Sequence, residues 1–219
     1  MDGYVEPDPS RAVLLPIDVQ RDFTAPEGAA TVPGTAEAVQ AMERLVRAFR
    51  EADRPIVHVV RLYRGDGSNV DACRRADVED GAAIVRPGTA GAEIVRELTP
   101  DPAQDDDGEE LQLDADHLLG GELQRLGDRE WAMYKPRWSA FHRTPLDDHL
   151  ADRDVDTVVV CGCNFPNCPR TTVYDASQRD YRLVLVPDAT SGTYERGLDE
   201  LASIEVALFD VDEAVDWLG

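Results

Sequence analysis

Three of the four cysteines fall within one stretch, VVVCGCNFPNCPRTTVYDAS (158–177); the fourth is Cys73. Thiols this close can hold a metal, form a disulfide, act as a redox pair, or supply one nucleophile beside two bystanders. Cys161, Cys163 and Cys168 are spaced C-x-C-x4-C, unlike the paired C-x2-C of common structural zinc sites. A Cys161–Cys163 disulfide would close a small strained ring. Cys161 ends a β-rich run and reads as a small buried hydrophobe. Cys168 precedes Pro169 and an amphipathic stretch, and proline favours the first helical position. That spacing predicts Cys168 at a helix N-cap, where the dipole lowers a thiol pKa and favours the nucleophilic thiolate. A reversible Cys163–Cys168 redox pair is the competing thiol chemistry.

Two further residues complete a chemical set. Asp18 closes the apolar run AVLLPID, and Lys135, in MYKPRWSAF, is the only lysine of the chain. An arginine serves as well as a lysine for solubility, but not where a compact ammonium is needed. Asp18 can act as general base for a thiol, Lys135 can hold that carboxylate, and backbone N–H groups near Cys168 can bind an oxyanion.

These residues need a scaffold that brings strand ends together. The run at 12–18 reads as a buried parallel strand, 35–53 as a helix with apolar residues at helical spacing, and 55–62 as a strand. Further along, 91–98 reads as a short helix, 130–134 as a strand and 145–151 as a short helix. Strands at 155–161 and 182–186 flank a helix over about 169–180, and a helix at 195–204, a strand at 206–209 and a helix at 212–218 close the chain. Alternating strands and helices predict a mostly parallel sheet covered on both faces, with ligands at the carboxyl edge of the strands. Residues 1–10 read as a tail and 11–219 as one domain, within which the acidic stretch at 100–108 reads as a mobile loop.

Composition bounds the partners. The net charge of −22 argues against nucleic acid and anionic membranes, and no apolar run is long enough to span a bilayer. The acidic N-terminus lacks the pattern of a signal peptide, so a cytoplasmic location is expected. A carboxylate excess with a single lysine suits a protein kept soluble in high salt. Melting temperature is therefore expected to rise from low to molar KCl as screening relieves self-repulsion; a flat or falling trend would contradict the high-salt reading.

The motifs together resemble the isochorismatase-like cysteine hydrolases, a family that includes nicotinamidase and N-carbamoylsarcosine amidase. The pattern D-x-Q-x-D-F is matched by Asp18, Gln20, Asp22 and Phe23. The pattern K-x-x-x-S-A-F-x-x-T-x-L is matched by Lys135, Ser139, Ala140, Phe141, Thr144 and Leu146. Gly162 stands six residues before Cys168, and Asp188-Ala189 follows the next strand. The resemblance implies a three-layer αβα fold with a six-stranded parallel sheet and a catalytic triad of Asp18, Lys135 and Cys168. It also implies an oxyanion loop at Cys163, Asn164 and Cys168, with a cis peptide at Cys163–Asn164. The expected activity is cleavage of a C–N bond in a small amide or carbamoyl compound; the alternative is a catalytically degenerate binding or regulatory module. Phe23, Arg170, Arg137 and Trp138 are candidate substrate-binding residues, with Arg170 the foremost arginine and Arg61 a further candidate. Nicotinamidases carry an Asp-and-two-His metal site near the second strand; here that region offers only His58, which reads as a packed, hydrogen-bonded core residue. No metal or other cofactor is expected. The partners expected are a small-molecule substrate and further copies of the chain, as a dimer or tetramer.

Overall fold

The computed structural model describes residues 3–100 and 112–219. Most of the acidic stretch at 100–108 lies outside them. The described elements run β1 (Ala12–Ile17), α1 (Arg21–Thr24), α2 (Thr35–Glu51), β2 (Ile56–Val60), α3 (Arg75–Glu79), α4 (Ala115–Leu119), β3 (Gln124–Gly127), β4 (Glu130–Tyr134), α5 (Leu146–Ala151), β5 (Thr157–Gly162), α6 (Cys168–Ser177), β6 (Arg182–Thr190), α7 (Glu195–Ala202), β7 (Ala207–Leu208) and α8 (Val211–Leu218). None of the helices is long and apolar enough to cross a membrane.

The strands form one sheet in the order β3-β4-β2-β1-β5-β6-β7. Six are parallel, as the alternation of elements predicts. The seventh, β3, pairs antiparallel with β4 at the edge. Its sequence QRLG has no apolar alternation, because an edge strand beside solvent does not need it. In the buried strands successive side chains serve opposite faces. Leu14, Val159, Cys161 and Val184 join Met42, Leu45 and Phe49 of α2 and Val211 of α8. Leu15, Ile17, Val160 and Leu185 join Leu146 of α5, Val173 of α6 and Leu201 of α7. Strands apolar on both faces are what two helical layers require, and the result is an αβα sandwich.

Two local expectations are corrected. Residues 91–98 form no helix but two single 3-10 turns, Ala90–Ala92 and Arg96–Leu98. Ile94 between them pairs with Gln20, and Gly91 lies so close to Asp22 that a Cβ would sit 2.2 Å from its carboxylate. Tertiary contact has overridden local propensity here. The helix after β5 starts at Cys168 rather than Pro169, with Asn167 as its cap. At the N-terminus, residues 3–10 lie against the sheet: the Asp8 N–H donates to Thr157 Oγ1 and Arg182 donates to the Gly3 carbonyl.

The order of the strands locates the site. From β1 the chain builds outward through β2 to β4 on one side, then returns to β5 beside β1 and builds outward through β6 to β7. The connections leaving β1 and β5 therefore diverge to opposite faces, opening a crevice between their carboxyl ends.

Candidate active site

Three strands deliver one layer of polar side chains to this edge. Asp18, Arg61 and Lys135 each directly follow the last residue of a strand: β1, β2 and β4. Register holds them level, since Ile17 pairs with Val59 and Val60 with Tyr134. The ladder continues through them: Asp18 N–H donates to Val59 O at 2.8 Å and Lys135 N–H to Val60 O at 3.0 Å. Asp18 then turns into the left-handed region, with φ of 55°, a conformation that aspartate tolerates better than most residues.

The fourth component comes from β5. Gly162 has φ of 116°, and a Cβ there would lie 2.3 Å from the Ile17 carbonyl oxygen. Only glycine lets the two backbones meet. The loop 163–167 then carries the chain to Cys168, the first residue of α6. The motif that follows Lys135 binds this helix. Ser139 Oγ donates to Asp175 Oδ2 at 2.5 Å, and the Ala140 N–H donates to Thr172 Oγ1 at 3.0 Å. The segment that positions the lysine thus also fixes the helix that carries the thiol.

Lys135 is wholly buried, and its Nζ donates to Asp18 Oδ2 at 2.7 Å. Asp18 Oδ1 is buried without a hydrogen-bond partner. Burial raises the Cys168 thiol pKa, and the Asp18 carboxylate against it raises it further; the charges of Lys135 and Arg61 oppose them. The lowered pKa expected from the helix terminus is therefore corrected. Burial and the neighbouring carboxylate together hold the resting thiol in its protonated form. The other two loop cysteines behave as core residues: burial pushes Cys163 up to about 12 and raises Cys161 as well.

The oxyanion loop is corrected in two respects. All peptide bonds of the described residues are trans, Cys163–Asn164 included. The turn is made instead by rotations at Gly162 and at Asn167, whose φ and ψ are −115° and −97°. The Cys163 N–H is already engaged, donating to Ile17 O at 2.8 Å. The N–H groups of Asn164 and Cys168 make no hydrogen bond among the described residues.

A cavity of about 260 Å³ opens at these groups. Of the residues expected to contact substrate, Phe23 and Trp138 line it and Arg137 and Arg170 do not. Arg137 donates to the Asn69 and Pro136 carbonyls beside the site. Arg170 is turned away, bound to Glu200 and to the Tyr194 hydroxyl. Residues two apart on a helix face different sides, so a residue two positions after the thiol cannot share its cavity.

Arg61 is the arginine that the fold brings in. It is buried, its Nη1 donates to Asp71 Oδ2 at 2.6 Å, and its Nη2 lies 3.7 Å from the Cys168 sulfur. Burial acts to lower the guanidinium pKa, but the neighbouring carboxylates more than offset it. Gln20 holds its backbone from both sides, accepting from the Arg61 N–H at 2.7 Å and donating to its carbonyl at 2.8 Å. Tyr63 donates its hydroxyl to the same Asp71 oxygen at 2.7 Å. Asp71 and Tyr63 carried no signal in the sequence beyond their types. His58 is packed within β2 as expected; its Nε2 lies 2.6 Å from Glu130, which Arg50 grips with two hydrogen bonds. Among the described residues no three His, Cys, Asp or Glu side chains gather as a metal site.

The isochorismatase domain profile matches residues 12–107 and 114–208. A protein of Arabidopsis thaliana named as a probable inactive nicotinamidase is 32% identical over 181 residues, 81% of this chain and 79% of its own length. A ureidoacrylate amidohydrolase of Methylobacterium radiotolerans is 26% identical over 220 residues, 92% of this chain and 75% of its own. The crystal structure of an isochorismatase family protein from Desulfovibrio vulgaris superposes with a TM-score of 0.78 at 30% identity, covering 95% of this chain and 98% of the other. With its domain matched over most of its length, the chain belongs to the isochorismatase family.

Proposed function

We propose that this chain is an amidohydrolase that cleaves a C–N bond of a small amide or carbamoyl compound, with Cys168 as nucleophile. The observation that carries the reading is the state of Asp18: one oxygen is tied to Lys135 and the other is free of partners beside the Cys168 thiol. In this scheme Asp18 takes the thiol proton as the sulfur attacks the carbonyl carbon. The N–H groups of Asn164 and Cys168 hold the oxyanion. Collapse expels the amine, which leaves with the proton from Asp18, and a thioester remains. Asp18 then draws a proton from water, whose oxygen attacks the thioester; the acid departs and the thiol is restored. Lys135 keeps the carboxylate in place throughout. A cavity of about 260 Å³ suits a small substrate.

The name of the Arabidopsis relative favours a second reading, a catalytically silent module on the same fold. Ammonia release from a panel of small amides, ureides and carbamoyl compounds separates the two. The amidohydrolase is expected to turn over at least one of them and to lose that activity when Cys168 is alkylated. A chain that releases no ammonia from any, with Cys168 unreactive toward alkylating reagents, would be the silent module.

A further inference from the structure

The guanidinium of Arg61 is divided between two partners. Its Nη1 donates to Asp71 Oδ2 at 2.6 Å, and its Nη2 donates to the Cys168 sulfur at 3.7 Å. An ion pair accounts for the first contact and leaves the second unexplained. Lys135 is spent on Asp18, so among the described residues Arg61 is the one side chain that donates to this sulfur. Its position is fixed from every side. Gln20 grips its backbone N–H and carbonyl and is itself anchored to the Ala92 carbonyl at 2.6 Å. Tyr63 shares Asp71 with it, and the guanidinium is buried. A thiol is a weak acceptor, whereas a thiolate is a charged one, and hydrogen bonds between ions are roughly twice as strong as neutral ones. The Nη2 contact therefore strengthens when the sulfur loses its proton. Interactions that are stronger at that moment than at rest are the ones that accelerate a reaction, and a donor already held in place needs no reorganisation to act.

We propose that Arg61 is a catalytic residue that holds negative charge on the Cys168 sulfur, with Asp71 as the positioning residue that sets its fork. The proposal rests on the amidohydrolase reading and adds a fourth side chain to Asp18, Lys135 and Cys168. Arg61 acts twice in that scheme. As the thiol proton passes to Asp18, Nη2 steadies the sulfur until its electron pair forms the bond to the carbonyl carbon. When the thioester intermediate collapses, that bond breaks, its electron pair returns to sulfur, and Nη2 holds the leaving thiolate until Asp18 gives the proton back.

Neutral iodoacetamide tests this, because it reads the sulfur without needing a substrate. The thiolate displaces iodide from the reagent's methylene carbon, and the thiol proton is lost to Asp18 or to water. The groups acting on the sulfur are Asp18, Lys135 and Arg61, with the Cys163 thiol, kept neutral by burial, beside it. Alkylation of Cys168 is followed against pH by peptide mass, apart from the exposed Cys73, together with ammonia release from an amide that the wild type turns over. Arg61→Gln should move the alkylation midpoint up by about one pH unit or more, a tenfold loss of thiolate at neutral pH, and lower kcat on the order of a hundredfold. That variant strands the buried Asp71 carboxylate and can fail to fold. The double variant Arg61→Gln/Asp71→Asn removes both charges of the pair and should show the same upward shift, since the cation lost is the nearer to the sulfur. If the folded variants keep the wild-type midpoint, or turn over normally, Arg61 is only the ion-pair partner of Asp71 and its assignment fails while the nucleophile stands. If wild-type Cys168 is not alkylated and no amide is hydrolysed, the amidohydrolase reading falls and takes this proposal with it.

Discussion

Replacing Cys168 with alanine is expected to reduce turnover below detection, a loss on the order of a millionfold, as when the nucleophile of a catalytic triad is removed. The fold should survive. The resting thiol is held neutral by its surroundings, so its loss leaves no buried charge without a partner, and the Lys135–Asp18 pair is untouched. A change in stability of about 1 kcal/mol is expected, typical of deleting one small group. Cys161→Ala provides the contrast. Its side chain is fully buried in the layer between the sheet and α2, so it should lower the melting temperature and leave kcat unchanged. Thermal denaturation and ammonia release, measured on both variants, check this. If Cys168→Ala turned over at the wild-type rate, the nucleophile would lie elsewhere; if Cys161→Ala lost activity without losing stability, the division of roles between the cysteines would be wrong.

The contrast between these two thiols marks what the sequence makes legible. A strand buried on both faces writes itself as a continuous apolar run, so β1, β2 and β5 and their ends can be read directly. Asp18 and Lys135 follow from those ends, because a polar residue closing such a run must emerge at the carboxyl edge. Arg61 obeys the same rule, one residue beyond β2, and its position was a better guide than the nearness of Arg170 to the thiol. Sequence distance along a helix misleads where angular position decides. Tyr63 and Asp71 could not be read in this way. They belong to a connection with no periodicity, and only packing brings it over the crevice. The thiol pKa escapes the sequence for a related reason: the helix terminus is local and visible there, whereas desolvation depends on everything that closes around the sulfur.

Asp18→Asn is expected to separate thiol reactivity from catalysis. The variant removes the base that takes the thiol proton, protonates the leaving amine and activates water. A general base contributes roughly 10²–10⁴-fold, so hydrolysis should fall by about a thousandfold. The thiol should respond in the opposite direction. In the wild type burial raises the Cys168 pKa and the Asp18 carboxylate raises it further, whereas Lys135 and Arg61 lower it. In the variant burial still acts, but the two cations are no longer opposed by the Asp18 charge, so the thiol pKa drops from its wild-type position and a larger fraction is thiolate at neutral pH. Alkylation by neutral iodoacetamide should therefore be faster in the variant, and its pH profile should shift to lower pH. Stability should follow the same charges. Deleting one partner of a buried ion pair commonly costs about 3–5 kcal/mol. Here a thiolate can stand in for the lost carboxylate beside Lys135, so the penalty should be smaller near neutral pH. It should grow as pH falls and the thiolate is protonated. Adding Cys168→Ala to Asp18→Asn removes that substitute, and the double variant should be less stable than the sum of the two single changes. If Asp18→Asn instead slowed alkylation and hydrolysis by the same factor, Asp18 would be promoting attack by the sulfur alone, and its part in releasing the amine and activating water would have to be abandoned.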